Sequence, residues 1–205
     1  MTRIVVFMEG GGEKKEGKAA LRKGMDAFLN SAKAVARRKS LRWRVVACGS
    51  RNQAYRQFRA AVAARTGDLP FLLVDSEDGV MRSPRAHLTA RDGWDRLDDV
   101  AEDLIQLMVR TMETWLIADL EAVQAYYGRN FKANSLPRHR DLEQVPKQDV
   151  SSGLERATAQ TQKGRYHKIT HASELLARID PEKVKVRCWH CERLFDTLIS
   201  EIEAA

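Results

Sequence analysis

The chain has 205 residues, 43% hydrophobic and 31% charged: enough apolar residues for one domain with a full core, and too many for a disordered chain. No run of about 18 apolar residues occurs, which argues against a membrane-spanning helix. Net charge is +7 and unevenly spread: residues 1–68 carry 16 Lys/Arg against 5 Asp/Glu, and residues 75–121 carry 5 against 12. A basic first third beside an acidic middle suits a polyanion drawn toward a cation-binding centre; a solvated Lys/Arg-rich helix face is the plainer explanation. The opening MTRIVVFMEG lacks the long apolar stretch and cleavage site of a secretory leader, so a cytoplasmic location with no membrane contact is expected. Cys48, Cys188 and Cys191 make an odd count, and a reducing compartment disfavours structural disulfides.

In chain order, Arg3–Met8 (RIVVFM) is a continuous apolar run, the pattern of a strand buried on both faces, and Glu9-Gly10-Gly11-Gly12 ends it. Residues 13–38 read as one helix with an apolar stripe through Leu21, Met25, Phe28, Ala32 and Val35. Arg42–Ala47 reads as a second strand, Arg51–Arg65 as a second helix, and Pro70–Val74 (PFLLV) as a third strand running into Asp75-Ser76-Glu77-Asp78. Residues 79–103 read as irregular and polar, and Asp103–Val109 as a fourth strand. Met112–Tyr127 reads as a helix in which Trp115 is a core residue. After a loop over 129–145, helices are expected from Pro146 to about Gln160, over His171–Ile179, and from Pro181 onward. Alternating strands and helices predict an α/β fold: a mostly parallel, Rossmann-like sheet flanked by helices over residues 1–128, with a C-terminal helical extension over 129–205.

The chemistry concentrates where such a sheet presents its functional edge. Glu9 follows the first strand; Asp75 and Glu77 follow the third. Ligands of open α/β sheets bind outside the carboxyl ends of the strands, where strand order reverses. If those two strands are neighbours, the acids converge, and converging carboxylates repel unless they are protonated or share a cation. An all-oxygen cluster suits Mg²⁺ or Mn²⁺ rather than Zn²⁺. Glu13, four residues after Glu9, and Asp78, beside Glu77, are further metal-ligand candidates. The plain alternative for all five is charge complementarity at the starts of helices. Glu113 and Asp119 flank an apolar helix and admit both readings. Lys163, Tyr166, His167 and Lys168, in the stretch KGRYHK, are candidates for contacting a phosphate, with Tyr166 able to stack on a base. His167 and His171 with Cys188 and Cys191 make the inventory of a Cys₂His₂ zinc site, although a lone Cys-x-x-Cys in a helix is a weak signal.

VVFMEG followed later by LLVDSED resembles the TOPRIM domain of topoisomerases, primases and overcoming-lysogenization-defect nucleases. That resemblance implies Glu9 as metal ligand or general acid/base, Asp75 and Glu77 as ligands, and Glu13 as a helper of a second metal. Glu77 stands where the pattern has Asp, which leaves Asp78 as a rival ligand. ARDGWD (90–95), MVRTMETWLIAD (108–119), VPKQDV (145–150) and KGRYHKITHASELLARIDP (163–181) resemble an uncharacterised bacterial family, domain of unknown function 4276. That family's setting implies an ATPase partner in anti-phage defence. The activity expected from these resemblances is hydrolysis of phosphodiester bonds in DNA or RNA with one or two metal ions, with Glu9, Asp75, Glu77 and Lys168 as the catalytic set. A non-catalytic nucleic-acid-binding or regulatory subunit, and phosphoryl transfer on small nucleotides, are the alternatives.

Overall fold

The computed structural model describes residues 2–205. Four strands, β1 (Arg3–Met8), β2 (Arg42–Ala47), β3 (Leu69–Asp75) and β4 (Ile105–Met108), form one sheet in the order β2-β1-β3-β4. Every pairing is parallel, with Val6 opposite Val45 and Phe71, and Asp75 opposite Met108. The chain leaves β1 toward β2 on one side and leaves β3 toward β4 on the other. The reversal therefore falls between β1 and β3, which are hydrogen-bonded neighbours, as the convergence of Glu9 and Asp75 requires.

Side chains on a strand alternate between faces, and β1 and β3 are apolar on both. Ile4, Val6, Met8, Phe71 and Leu73 enter one core cluster; Val5, Phe7, Leu72 and Val74 enter the other. The first cluster is covered by α1 (Lys15–Phe28), α2 (Asn30–Arg38) and the C-terminal helices. The second is covered by α3 (Arg51–Ala64) and α4 (Pro84–Asp92). The result is the expected α/β, Rossmann-like sheet with helices on both faces and further helices at the C-terminus. No helix is long and apolar enough to cross a membrane among the described residues.

Several expected boundaries differ. The helix expected over 13–38 is two, because Leu29 leaves helical geometry (φ −87°, ψ 18°); with no Gly or Pro at that point, the sequence carries no signal for the break. Both pieces bury Met25, Phe28, Ala32 and Ala36 in the same core. Residues 79–103 contain α4, started by the Ser83 side chain accepting from Ala86 N and by Pro84 at the first position. Few apolar residues mark that helix, which hid it. The helix over 112–127 splits into α5 (Met112–Leu116) and α6 (Leu120–Tyr127) because Asp119 adopts φ −110°, ψ 79° and caps α6. Beyond it lie α7 (Lys147–Thr158), α8 (Lys168–Leu176), α9 (Pro181–Arg187) and α10 (Trp189–Ala204), the last two separated at Cys188 (φ −139°, ψ 97°). Trp115 is core, stacked on Phe28 with ring centroids 5.3 Å apart.

Two close approaches position the site. Gly10, Gly11 and Gly12 all take positive φ (110°, 81° and 64°), a run that L side chains rarely adopt, and it carries the chain from β1 toward α1. Gly24 lets α1 meet α8: a Cβ at Gly24 would lie 2.2 Å from Ser173 O. That contact fixes where Lys168, the first residue of α8, stands over the sheet edge. Gly24→Ala is expected to cost roughly 2 kcal/mol by forcing two backbones apart. The urea midpoint should fall; a rise, as helix propensity alone would give, would contradict this packing.

Candidate metal centre

Glu9 directly follows β1, Asp75 ends β3, and Glu77 lies two residues beyond, in the left-handed region at φ 68°. Their carboxylate oxygens include a set, one from each residue, lying within 4.8 Å of one another. This is the one such group of acidic, His or Cys side chains among the described residues. They line a cleft of about 260 Å³ together with Gly10, Gly49, Met112 and Lys168.

Asp75 is the deepest of the three, 2% exposed. Its Oδ1 accepts from Met112 N at 2.8 Å and its Oδ2 from Lys168 Nζ at 3.2 Å, with Thr111 Oγ1 3.3 Å from Oδ2. Glu9 Oε1 accepts from the Asp75 backbone N–H at 2.8 Å, which locks the two acids to adjacent strands. Glu9 Oε2 faces Arg51 Nη1 at 3.6 Å. Arg51, the first residue of α3, also donates to the Asp75 carbonyl and grips Asp92 with two nitrogens at 2.8 and 2.6 Å. Glu77 pairs with Lys147 from the first turn of α7.

A second buried acid adjoins the group. Glu113, in α5, is 5% exposed. Its Oε1 accepts from Tyr166 OH at 2.9 Å, its Oε2 accepts from the Thr111 hydroxyl, and Lys168 Nζ stands 3.4 Å from Oε2. Lys168 thus bridges Asp75 and Glu113 from α8.

The environment pushes these groups apart in acidity. Burial, reinforced by the neighbouring Asp75 charge, raises the Glu9 carboxyl from its usual 4.5 to about 8. Burial also raises Asp75, against the pull of Lys168. Burial works the same way on Glu113, but Lys168 with the Thr111 and Tyr166 hydroxyls outweighs it and holds that carboxyl below its usual value. Burial opposes the Lys168 charge, yet Asp75 and Glu113 together keep the ammonium above its usual range. At neutral pH, with no added cation, the site therefore holds an ionised Glu113, a charged Lys168 and a proton on Glu9.

Other residues singled out from sequence lie elsewhere. Glu13 is exposed in the turn before α1, and Asp78 is exposed and faces Arg91 Nε at 3.6 Å; neither joins the group. Asp119 caps α6 and accepts from Asp180 N and Lys183 Nζ, both at 3.0 Å, tying α6 to α9. Lys163 Nζ lies over the Tyr126 ring at 4.4 Å. His167 is the exposed residue before α8, its Nδ1 3.1 Å from Thr170 Oγ1, and His171 is bonded to Tyr127 OH at 2.8 Å. Cys188 and Cys191 are buried, free thiols, and no metal-binding group of His and Cys occurs among the described residues. Sequence reasoning passed over Arg51, Thr111 and Lys147. Arg51 had a signal, since it opens the helix after β2 at the same sheet edge. Lys147 and Thr111 lie within or beside the longer motifs, but nothing in their spacing ties them to Glu77 or Asp75.

A raised Glu9 value has a definite sign for stability. The folded protein keeps a proton that the unfolded chain releases, so Glu9 lowers stability progressively as pH climbs from 4.5 toward 8. Glu9→Gln removes that penalty. Its Tm should match wild type near pH 5 and exceed it by roughly 3 °C or more at pH 8. Calorimetry at both pH values checks this, and a lower Tm for the variant at pH 8 would contradict it.

Comparison with known proteins agrees with one of the resemblances. The family model for a domain of unknown function, DUF4276, matches residues 8–199. No curated protein and no solved structure matches the chain. A match running from the end of β1 into α10 takes in all four acids of the site and Lys168, and the chain belongs to the DUF4276 family.

Proposed function

We propose that this chain is a Mg²⁺- or Mn²⁺-dependent hydrolase of phosphodiester bonds with a TOPRIM-type site, acting on DNA or RNA. The single observation that carries the reading is the convergence of Glu9, Asp75 and Glu77 at the strand-order reversal of a parallel sheet. The donor set fits the cation: three carboxylate oxygens, no sulfur or imidazole, and a spacing that one small hard ion can bridge. Likeness of VVFMEG and LLVDSED to TOPRIM motifs supports the assignment of roles. The anti-phage setting and the ATPase partner rest on the longer motifs alone.

Glu9, Asp75 and Glu77 would hold the ion. When bound, it supplies Lewis-acid charge at a phosphoryl oxygen and acidifies water. The chain's own residues do the rest. Glu9, with a value of about 8, is suited to hold or pass a proton near neutral pH. Lys168 brings a fixed positive charge to the cleft, where charge develops on a phosphoryl group. Arg51 holds Glu9 and the Asp75 backbone in place through Asp92. The basic surface of residues 1–68 supplies sequence-independent attraction for a polyanion.

One observation favours the second reading, a non-catalytic binding subunit. Each acid already has a basic partner: Arg51 for Glu9, Lys168 for Asp75, Lys147 for Glu77. With these partners, and with the proton that Glu9 holds near neutral pH, the site can stand without a metal.

Two measurements separate these readings. Asp75→Asn should lower Mn²⁺-dependent cleavage of DNA or RNA by on the order of 100-fold while leaving far-UV circular dichroism unchanged. A binding subunit would show no metal-dependent turnover in either protein. Because cation binding must displace the Glu9 proton, Mn²⁺ affinity should tighten by about tenfold per pH unit between pH 6 and 8. A flat profile by titration calorimetry would contradict a proton held at Glu9 that the cation must displace.

A further inference from the structure

Resting on the metal-site reading above, we propose that the site takes one divalent cation and that the Lys168 ammonium occupies the position of a second. Two-metal phosphoryl-transfer sites place their ions about 3.5–4 Å apart with an acid shared between them. Here Asp75 is the acid that faces both sides. Toward β1 it joins Glu9 and Glu77 in the group whose oxygens converge. Toward α5 it faces Glu113, and between those two buried acids lies Lys168 Nζ, 3.2 Å from Asp75 Oδ2 and 3.4 Å from Glu113 Oε2.

Three features make that position an ammonium site. Its two carboxylates are surrounded by protein donors: Thr111 donates to Glu113 Oε2 and reaches Asp75 Oδ2, Tyr166 takes Glu113 Oε1, and Met112 N takes Asp75 Oδ1. The Lys168 side chain is 48% exposed, so water reaches this position, and the ammonium keeps a divalent ion out by its charge rather than by packing. Second, the ammonium is delivered from a fixed base. Lys168 opens α8, and α8 is held against α1 by the Gly24–Ser173 approach. Third, Glu13, the acid that would complete a second metal site, is exposed in the turn before α1 and outside the converging group. A single positive charge offsets two buried acids less fully than a divalent ion would. The Thr111 and Tyr166 hydroxyl bonds make up part of that difference at Glu113.

Counting ions tests this without reference to activity. The full chain, titrated with Mn²⁺ alone, should bind one ion, with the electron paramagnetic resonance spectrum of an isolated Mn²⁺. Lys168→Met keeps the length of the side chain and removes its charge; it should bind two, with a spin-coupled spectrum. Lys168→Arg should bind one. Two ions in the wild-type protein would overturn the single-ion inference and leave the metal site standing, as would one ion in a folded Lys168→Met. Binding by none of the three would overturn the metal-site reading itself, and this inference with it.

Discussion

A buried carboxylate at the end of an apolar strand is the constraint on which this structure depends. Asp75 follows six residues of β3, and five of those are fully buried. A charge brought there from water is tolerated only with donors or opposite charge close by. The surroundings supply them from two directions: the Met112 N–H at the start of α5 and the Lys168 ammonium from α8. What makes the position costly also makes it reactive. The same burial that disfavours two adjacent negative charges leaves Glu9 holding a proton near neutral pH and leaves the group receptive to a cation.

The two halves of the sequence meet at this point. The carboxylates that converge come from residues before 78, on strands whose order reverses between β1 and β3. The cations and hydroxyls around them come largely from further on: Thr111 before α5, Lys147 in α7, Tyr166 and Lys168 at the start of α8. The C-terminal helices also share one core cluster with α1, α2 and one face of the sheet. Packing and chemistry are therefore linked. The glycine-mediated contact that seats α8 on α1 is also what brings an ammonium over Asp75.

Electrostatics at the cleft and over the surface act on different scales. Within the cleft, pairs at 3.2–3.6 Å set protonation states and geometry. Over the surface, the excess of Lys and Arg in the first third acts through screened, longer-range attraction, which draws a polyanion without choosing a bond. The proposed hydrolase combines both: a diffuse positive approach and a compact acidic centre.

By itself the sequence determined the strands, their burial and the acids that end them. Continuous apolar runs in RIVVFM and PFLLV leave no polar face, so those strands lie between two helical layers, and Glu9 and Asp75 fall at their carboxyl ends. Local chemistry also marked Trp115 as core and Pro181 as a helix start. Only the tertiary structure decided which polar groups share the cleft. Glu13 and Asp78 sit beside Glu9 and Glu77 in sequence yet point to solvent, whereas Arg51, Thr111, Lys147 and Lys168 arrive from 24 to 93 residues away from the acids they serve. The physical reason is one of range. Strand and helix patterns follow from near neighbours and burial, which a sequence displays. The partner of a buried charge is chosen by the packing of distant segments, and no local periodicity records it.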